Sequence, residues 1–131
     1  MPIELNHTIV PAHDGERSAR WFSVLFDCAE PTRFSVFWQV RTDNGVDLDF
    51  DTYASSDGDE PAFTTGHYAF LVGEDDFDAI FGRILGAGIT YWADPGRRDA
   101  GEINHRDGGR GVYFENPDGH LFEIITRPYG G

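Results

Sequence analysis

At 131 residues the chain has room for one domain with a core of its own, and it needs no disulfide or structural metal to hold it. Its formal net charge of −13 repels phosphate backbones and anionic lipid, which argues against nucleic acid or a membrane surface as partner. No apolar run is long enough to span a bilayer, Cys28 has no second cysteine to pair with, and residues 1–11 lack the basic and apolar regions of a secretory signal; the expectation is a cytoplasmic protein.

Residues 5–10 read as a short strand ended by Pro11, and Asp14 is placed to cap a helix over 17–26 whose apolar stripe is Ala19, Trp21, Phe22, Leu25 and Phe26. Residues 34–40, rich in aromatic and β-branched types, read as a strand. Asn44-Gly45 is a hairpin turn signal, and in the strand that follows (46–52) Val46, Leu48 and Phe50 alternate strictly with Asp47, Asp49 and Asp51. The polar stretch 54–65, with Gly58, Pro61 and the acids Asp57, Asp59 and Glu60, reads as a linker.

The pattern then returns. Residues 67–72 read as a strand and 74–85 as a helix, with acids in its first turn and a stripe of Phe77, Ile80, Phe81, Ile84 and Leu85. Gly86 or Gly88 can end that helix. A short strand at 89–92, a long Pro-, Gly- and Arg-rich loop at 94–111, a strand at 111–114, the tight turn Asn116-Pro117-Asp118-Gly119 and a last strand at 120–127 complete the chain.

The two halves repeat. A shift of 60 residues lays His7 on His67, Ala19 on Ala79, Trp21 on Phe81, Val24 on Ile84 and Leu25 on Leu85. Independently of that shift, Asp49 follows the turn residue Gly45 by four places and Glu123 follows Gly119 by four. The expected fold is α+β, two tandem β-α-β-β-β modules (about 1–56 and 66–131) forming one domain over 1–131 with a concave mixed sheet. His7 with His67, and Asp49 with Glu123, then hold equivalent places and can converge on the concave face, since Val46, Leu48 and Phe50 on one strand and Phe122 and Ile124 on the other turn to the helices. A single strand histidine is more often a local hydrogen-bonding residue than a ligand; the repeat makes the set. Three or four nitrogen and oxygen donors of this kind suit a divalent first-row ion and leave positions open for substrate.

The segment Gly111-Val-Tyr-Phe-Glu-Asn-Pro-Asp-Gly-His-Leu-Phe-Glu123 resembles the closing signature of the vicinal oxygen chelate superfamily, the glyoxalase, bleomycin-resistance and extradiol-dioxygenase proteins. His67-Tyr-Ala-Phe-Leu-Val and Leu5-Asn6-His7 resemble the openings of that family's two modules. The resemblance implies a glyoxalase-like fold, a homodimer, and one divalent ion (Fe, Mn, Zn or Ni) held by His7, His67 and Glu123. It also implies a metal-dependent isomerase, lyase or ring-cleaving dioxygenase that chelates a small oxygen-rich substrate on the ion. The alternative is a non-catalytic protein that sequesters a drug or metabolite, as bleomycin-resistance members do; those generally lack the histidine and glutamate set.

Asp49 stands where some members carry a longer glutamate, and can be a fourth ligand, a base beyond the ligand set, or one of three acids on a polar face. Glu115, beside a turn, is expected to face solvent, as are His13, His105 and His120. Trp38 (or its neighbour Phe37) and Tyr113 are candidates for lining a substrate pocket, and Arg110, in a glycine-rich loop, for clamping a substrate carboxylate. No motif makes Cys28 a nucleophile.

Overall fold

The computed structural model describes residues 2–53 and 63–129. They divide into two compact units, with the boundary between Thr64 and Thr65. Most of the expected linker, with Asp57, Asp59 and Glu60, lies outside the described residues.

The first unit runs β1 (His7–Ala12), α1 (Gly15–Phe26), β2 (Thr32–Phe34), β3 (Phe37–Arg41) and β4 (Asp47–Thr52), with sheet order β1-β4-β3-β2. The second runs β5 (His67–Leu71), α2 (Glu74–Gly86), β6 (Tyr91–Trp92), a 3₁₀ turn (Arg106–Gly108), β7 (Gly111–Glu115) and β8 (Leu121–Ile125), in the order β5-β8-β7-β6. In both sheets the first strand pairs parallel with the last and the other pairs are antiparallel. The architecture is thus α+β, and the β-α-β-β-β order appears twice.

Local chemistry accounts for the element ends. Asp14 caps α1 by accepting from the Arg17 amide at 3.2 Å, an interaction worth about 0.5–2 kcal/mol. Gly45 and Gly119 close the two hairpins with φ of +81° and +84°, a region a Cβ disfavours. The alternation in β4 and β8 sends Leu48, Phe50, Phe122 and Ile124 into apolar cores shared with Phe22 of α1 in one unit and Phe77, Ile80 and Ile84 of α2 in the other. Each of these large side chains contributes about 1.5–3 kcal/mol on burial.

Three expectations are corrected. Pro11 does not end β1, which continues to Ala12; β1 is an edge strand, where a residue without an N–H costs no ladder bond on the open side. The strand expected over 34–40 is a hairpin, turned at Ser35 with φ of +55°. And the 60-residue shift holds for the opening strands, β1 and β5, but fails in the helices. It lays Val24, 75% exposed, on the buried Ile84, and the buried Leu25 on Leu85, 52% exposed. One residue of slip turns a helical side chain by about 100°, so the helices carry the repeat at a different offset.

Candidate metal centre

Strand pairing makes the equivalence of the two acids explicit. Asp49 lies opposite Ile9, two residues beyond His7 in β1, and Glu123 lies opposite Ala69, two residues beyond His67 in β5. On the other side Asp49 faces Gln39 and Glu123 faces Tyr113. Both acids are buried on the sheet face turned away from their helix, Asp49 at 4% exposure and Glu123 at 0%.

In the second unit the carboxylate meets the imidazole. His67 Nε2 lies 3.1 Å from Glu123 Oε1, and His67 Nδ1 lies 3.0 Å from the Leu121 carbonyl oxygen. A carbonyl can only accept, so Nδ1 carries the proton, and in a neutral ring Nε2 holds a bare lone pair. That lone pair faces a carboxylate oxygen. Two acceptors at this distance need a cation between them, either a proton or a metal ion. The donor set therefore fits a divalent ion: an imidazole nitrogen of fixed tautomer beside a carboxylate oxygen, with the outer ring nitrogen tied to backbone as metal-binding histidines usually are.

The other carboxylate oxygen is also held. Tyr129 donates its hydroxyl to Glu123 Oε2. The Tyr129 and Tyr113 hydroxyls are 2.6 Å apart, and Arg106 donates to the Tyr113 hydroxyl at 3.0 Å. Burial, reinforced by the hydrogen bond to Glu123, pushes the Tyr129 phenol well above its ordinary value, and burial likewise raises Tyr113. The His67 and Tyr113 rings stack at 5.9 Å, and Trp92, opposite Tyr113, shares their face.

The first unit disposes its polar residues differently. His7, exposed, donates from Nδ1 to Asn6 Oδ1 at 2.7 Å. Asp47, its partner on β4, is taken by Arg41 through two hydrogen bonds of 2.8 and 3.0 Å, and this pairing holds the Asp47 carboxyl below its ordinary value. Asp49 Oδ1 accepts from Gln39 Nε2 at 2.8 Å. Among the described residues no three His, Cys, Asp or Glu side chains are gathered as a ready metal-binding group.

The remaining expected site residues divide. Tyr113 stands on the Glu123 face, bonded as above. Trp38 does not line the face of Asp49: it sits opposite the core residue Phe50, with Arg20 of α1 stacked on it, so it belongs to the helix-covered side, and Phe37 is the neighbour that shares the face of Gln39. Strand alternation admits only one of the pair, and the hairpin at Ser35 decided which. Arg110 is not placed as a substrate clamp. Its guanidinium is engaged by Glu74 and Asp78 at 2.7–2.8 Å and lies over the Phe77 ring, so it ties the loop to the start of α2. Glu115 is exposed and paired with Arg97. His120, expected at the surface, is fully buried and accepts from the Gly66 amide at 2.9 Å through Nδ1. Burial, with Asp43 and Asp27 nearby, pushes the Cys28 thiol up, away from the thiolate a nucleophile needs. No motif marks Arg106, Tyr129 or Trp92 as site residues, and only loop and tail packing brings Arg106 to Tyr113 and Tyr129 to Glu123.

A sequence profile described as "Glyoxalase/Bleomycin resistance protein/Dioxygenase superfamily" matches residues 4–124. Among solved structures, "Oxidase ChaP-H1" is 52% identical with a TM-score of 0.90, covering 99% of this chain and 100% of that one. "Oxidase ChaP-H2" is 53% identical with a TM-score of 0.91, covering 100% and 98%. "Metallothiol transferase FosB" of Shouchella clausii is 40% identical over 60 residues, 46% of this chain. That stretch spans only 37% of the FosB protein's length.

Proposed function

Because this chain belongs to the Glyoxalase/Bleomycin resistance protein/Dioxygenase superfamily, we propose that it is a metal-dependent enzyme whose ion is held by His67 and Glu123, acting on a small oxygen-rich organic molecule. One observation carries the reading: His67, its Nδ1 held by the Leu121 carbonyl, brings Nε2 to 3.1 Å from a fully buried carboxylate oxygen. A buried carboxylate opposite a lone pair is costly unless a cation compensates it. His7 joins the set through the family resemblance of Leu5-Asn6-His7, and its Nδ1 is likewise tied, to Asn6. Relatives named as oxidases and as a metallothiol transferase support an enzyme rather than a sequestering protein.

A bound divalent ion would act as a Lewis acid toward two neighbouring substrate oxygens. The protein's own residues supply the rest. Leu121 keeps the His67 ring oriented, Tyr129 holds Glu123, and the rings of His67, Tyr113 and Trp92 present an aromatic surface on the same face. Asp49 is the second acidic participant, its carboxylate steadied by Gln39, either as a further ligand or as a base taking a proton beside a substrate carbonyl.

The test is titration of chelator-stripped protein with Co2+, Fe2+ and Zn2+ by calorimetry. One ion per chain is expected; no uptake of any of them would return the chain to the ligand-sequestering reading. We further propose a homodimer, supported by the exposed apolar residues Ile9 on β1 and Leu71 on β5, both edge strands. Sedimentation at micromolar concentration should show a species of twice 14.7 kDa, and only the monomer would refute it.

A further inference from the structure

The C-terminal tail and the long loop are stitched together beside β8. The Arg110 amide donates to Thr126 Oγ1 at 2.8 Å, and the Thr126 amide donates to the Arg110 carbonyl at 2.9 Å. A Cβ at Gly109 would stand 2.6 Å from both Thr126 Oγ1 and Arg127 Cγ, so the loop can lie this close to the tail only as glycine. This packing delivers Arg106 from the loop and Tyr129 from the tail to one place. Tyr129 is about half exposed as a residue, yet its hydroxyl reaches a carboxylate with no exposure at all.

Chemistry fixes the donor in two of the hydrogen bonds there. Arg106 has no acceptor, so it donates to the Tyr113 oxygen. A carboxylate oxygen accepts, so Tyr129 donates to Glu123 Oε2. The Tyr113 hydroxyl lies against both the Tyr129 hydroxyl and Glu123. Arg106, Tyr113 and Tyr129 form one cluster behind the Tyr129 bond to Oε2, while Oε1 faces His67. A carboxylate gripped by one oxygen offers the other in a fixed direction.

We propose that Tyr129 is a positioning residue for Glu123: with Tyr113 and Arg106 behind it, its hydroxyl holds Oε2 so that Oε1 is presented to a metal ion from one side only. The proposal rests on the metal reading above and adds what that reading lacks, a role for the tail and for the loop. It predicts that metal affinity depends on a hydroxyl outside the coordination sphere.

The experiment is Co2+ titration of chelator-stripped protein, read both by calorimetry and by the visible absorption of the bound ion, which reports its coordination geometry. Tyr129→Phe should bind Co2+ about 10–100-fold more weakly than the unmodified chain and with an altered spectrum. Tyr113→Phe, which leaves the Tyr129 hydroxyl in place, should show a smaller loss in the same direction and guards against misfolding of the first variant. Tyr129→Leu should match Tyr129→Phe, because both lack the hydroxyl. Unchanged affinity and spectrum in Tyr129→Phe would overturn the proposal while leaving the metal reading intact. So would a loss in Tyr129→Leu alone, which would make the ring a packing element. If the unmodified chain takes up no Co2+, Fe2+ or Zn2+, the metal reading itself fails.

Discussion

The two units share one topology and place an acid at the same point of the same strand, yet they treat it differently. In the second, Glu123 lies between an imidazole and a phenol, with no arginine bonded to it among the described residues. In the first, Asp49 is held by the neutral amide of Gln39, while its neighbour Asp47 is neutralised by Arg41. The strand pairings Gln39–Asp49 and Tyr113–Glu123 correspond, as do Arg41–Asp47 and Glu115–Leu121, so the acid–arginine pairing of the first unit has no counterpart across the second. The comparison teaches that duplication supplies positions and that cross-strand neighbours assign their chemistry. One extra methylene and an adjacent phenol set Glu123 apart from Asp49, which is shorter and held by an amide.

The comparison can be broken most sharply by exchanging charge for amide in each unit. Glu123→Gln should abolish measurable metal uptake, a larger effect than losing a partner outside the ligand set. Asp49→Asn should weaken metal binding or turnover by roughly 10–100-fold, the cost typical of an outer partner. If Asp49→Asn titrates like the unmodified chain, Asp49 is simply a buried polar residue kept by Gln39. A smaller effect, on stability, is expected at the residue after each turn glycine, which is Val46 in the first unit and His120 in the second. His120→Val makes the second unit imitate the first and leaves the Gly66 amide without its acceptor, at a cost of about 1–3 kcal/mol in urea denaturation. A neutral result would mean that solvent replaces the ring. Glu115→Gln, which loses only an exposed pairing with Arg97, should change neither metal binding nor stability measurably.

Much of this was legible in the residues themselves. Alternation in 46–52 dictated which face of β4 carries acid, because a pleated strand sends neighbours to opposite sides and only one side meets the helix. The turn glycines gave Asp49 and Glu123 equivalent registers for the same local reason. What depends on contacts between distant segments was not legible. Trp38 and Phe37 are indistinguishable until the hairpin at Ser35 sets their phase, and His120 looks like a surface residue of a turn until the Gly66 amide, 54 residues away, closes on it. Arg110 and Arg106 sit in the same loop with the same charge, and only the packing of α2 and the tail sends one to Glu74 and Asp78 and the other to Tyr113. Periodicity and turn chemistry act over a few residues, so the sequence alone determined the modules, their faces and the acids at their centres. Which side chains surround those acids is an outcome of long-range packing, where small gains summed over many contacts select one arrangement, and that the tertiary structure alone decided.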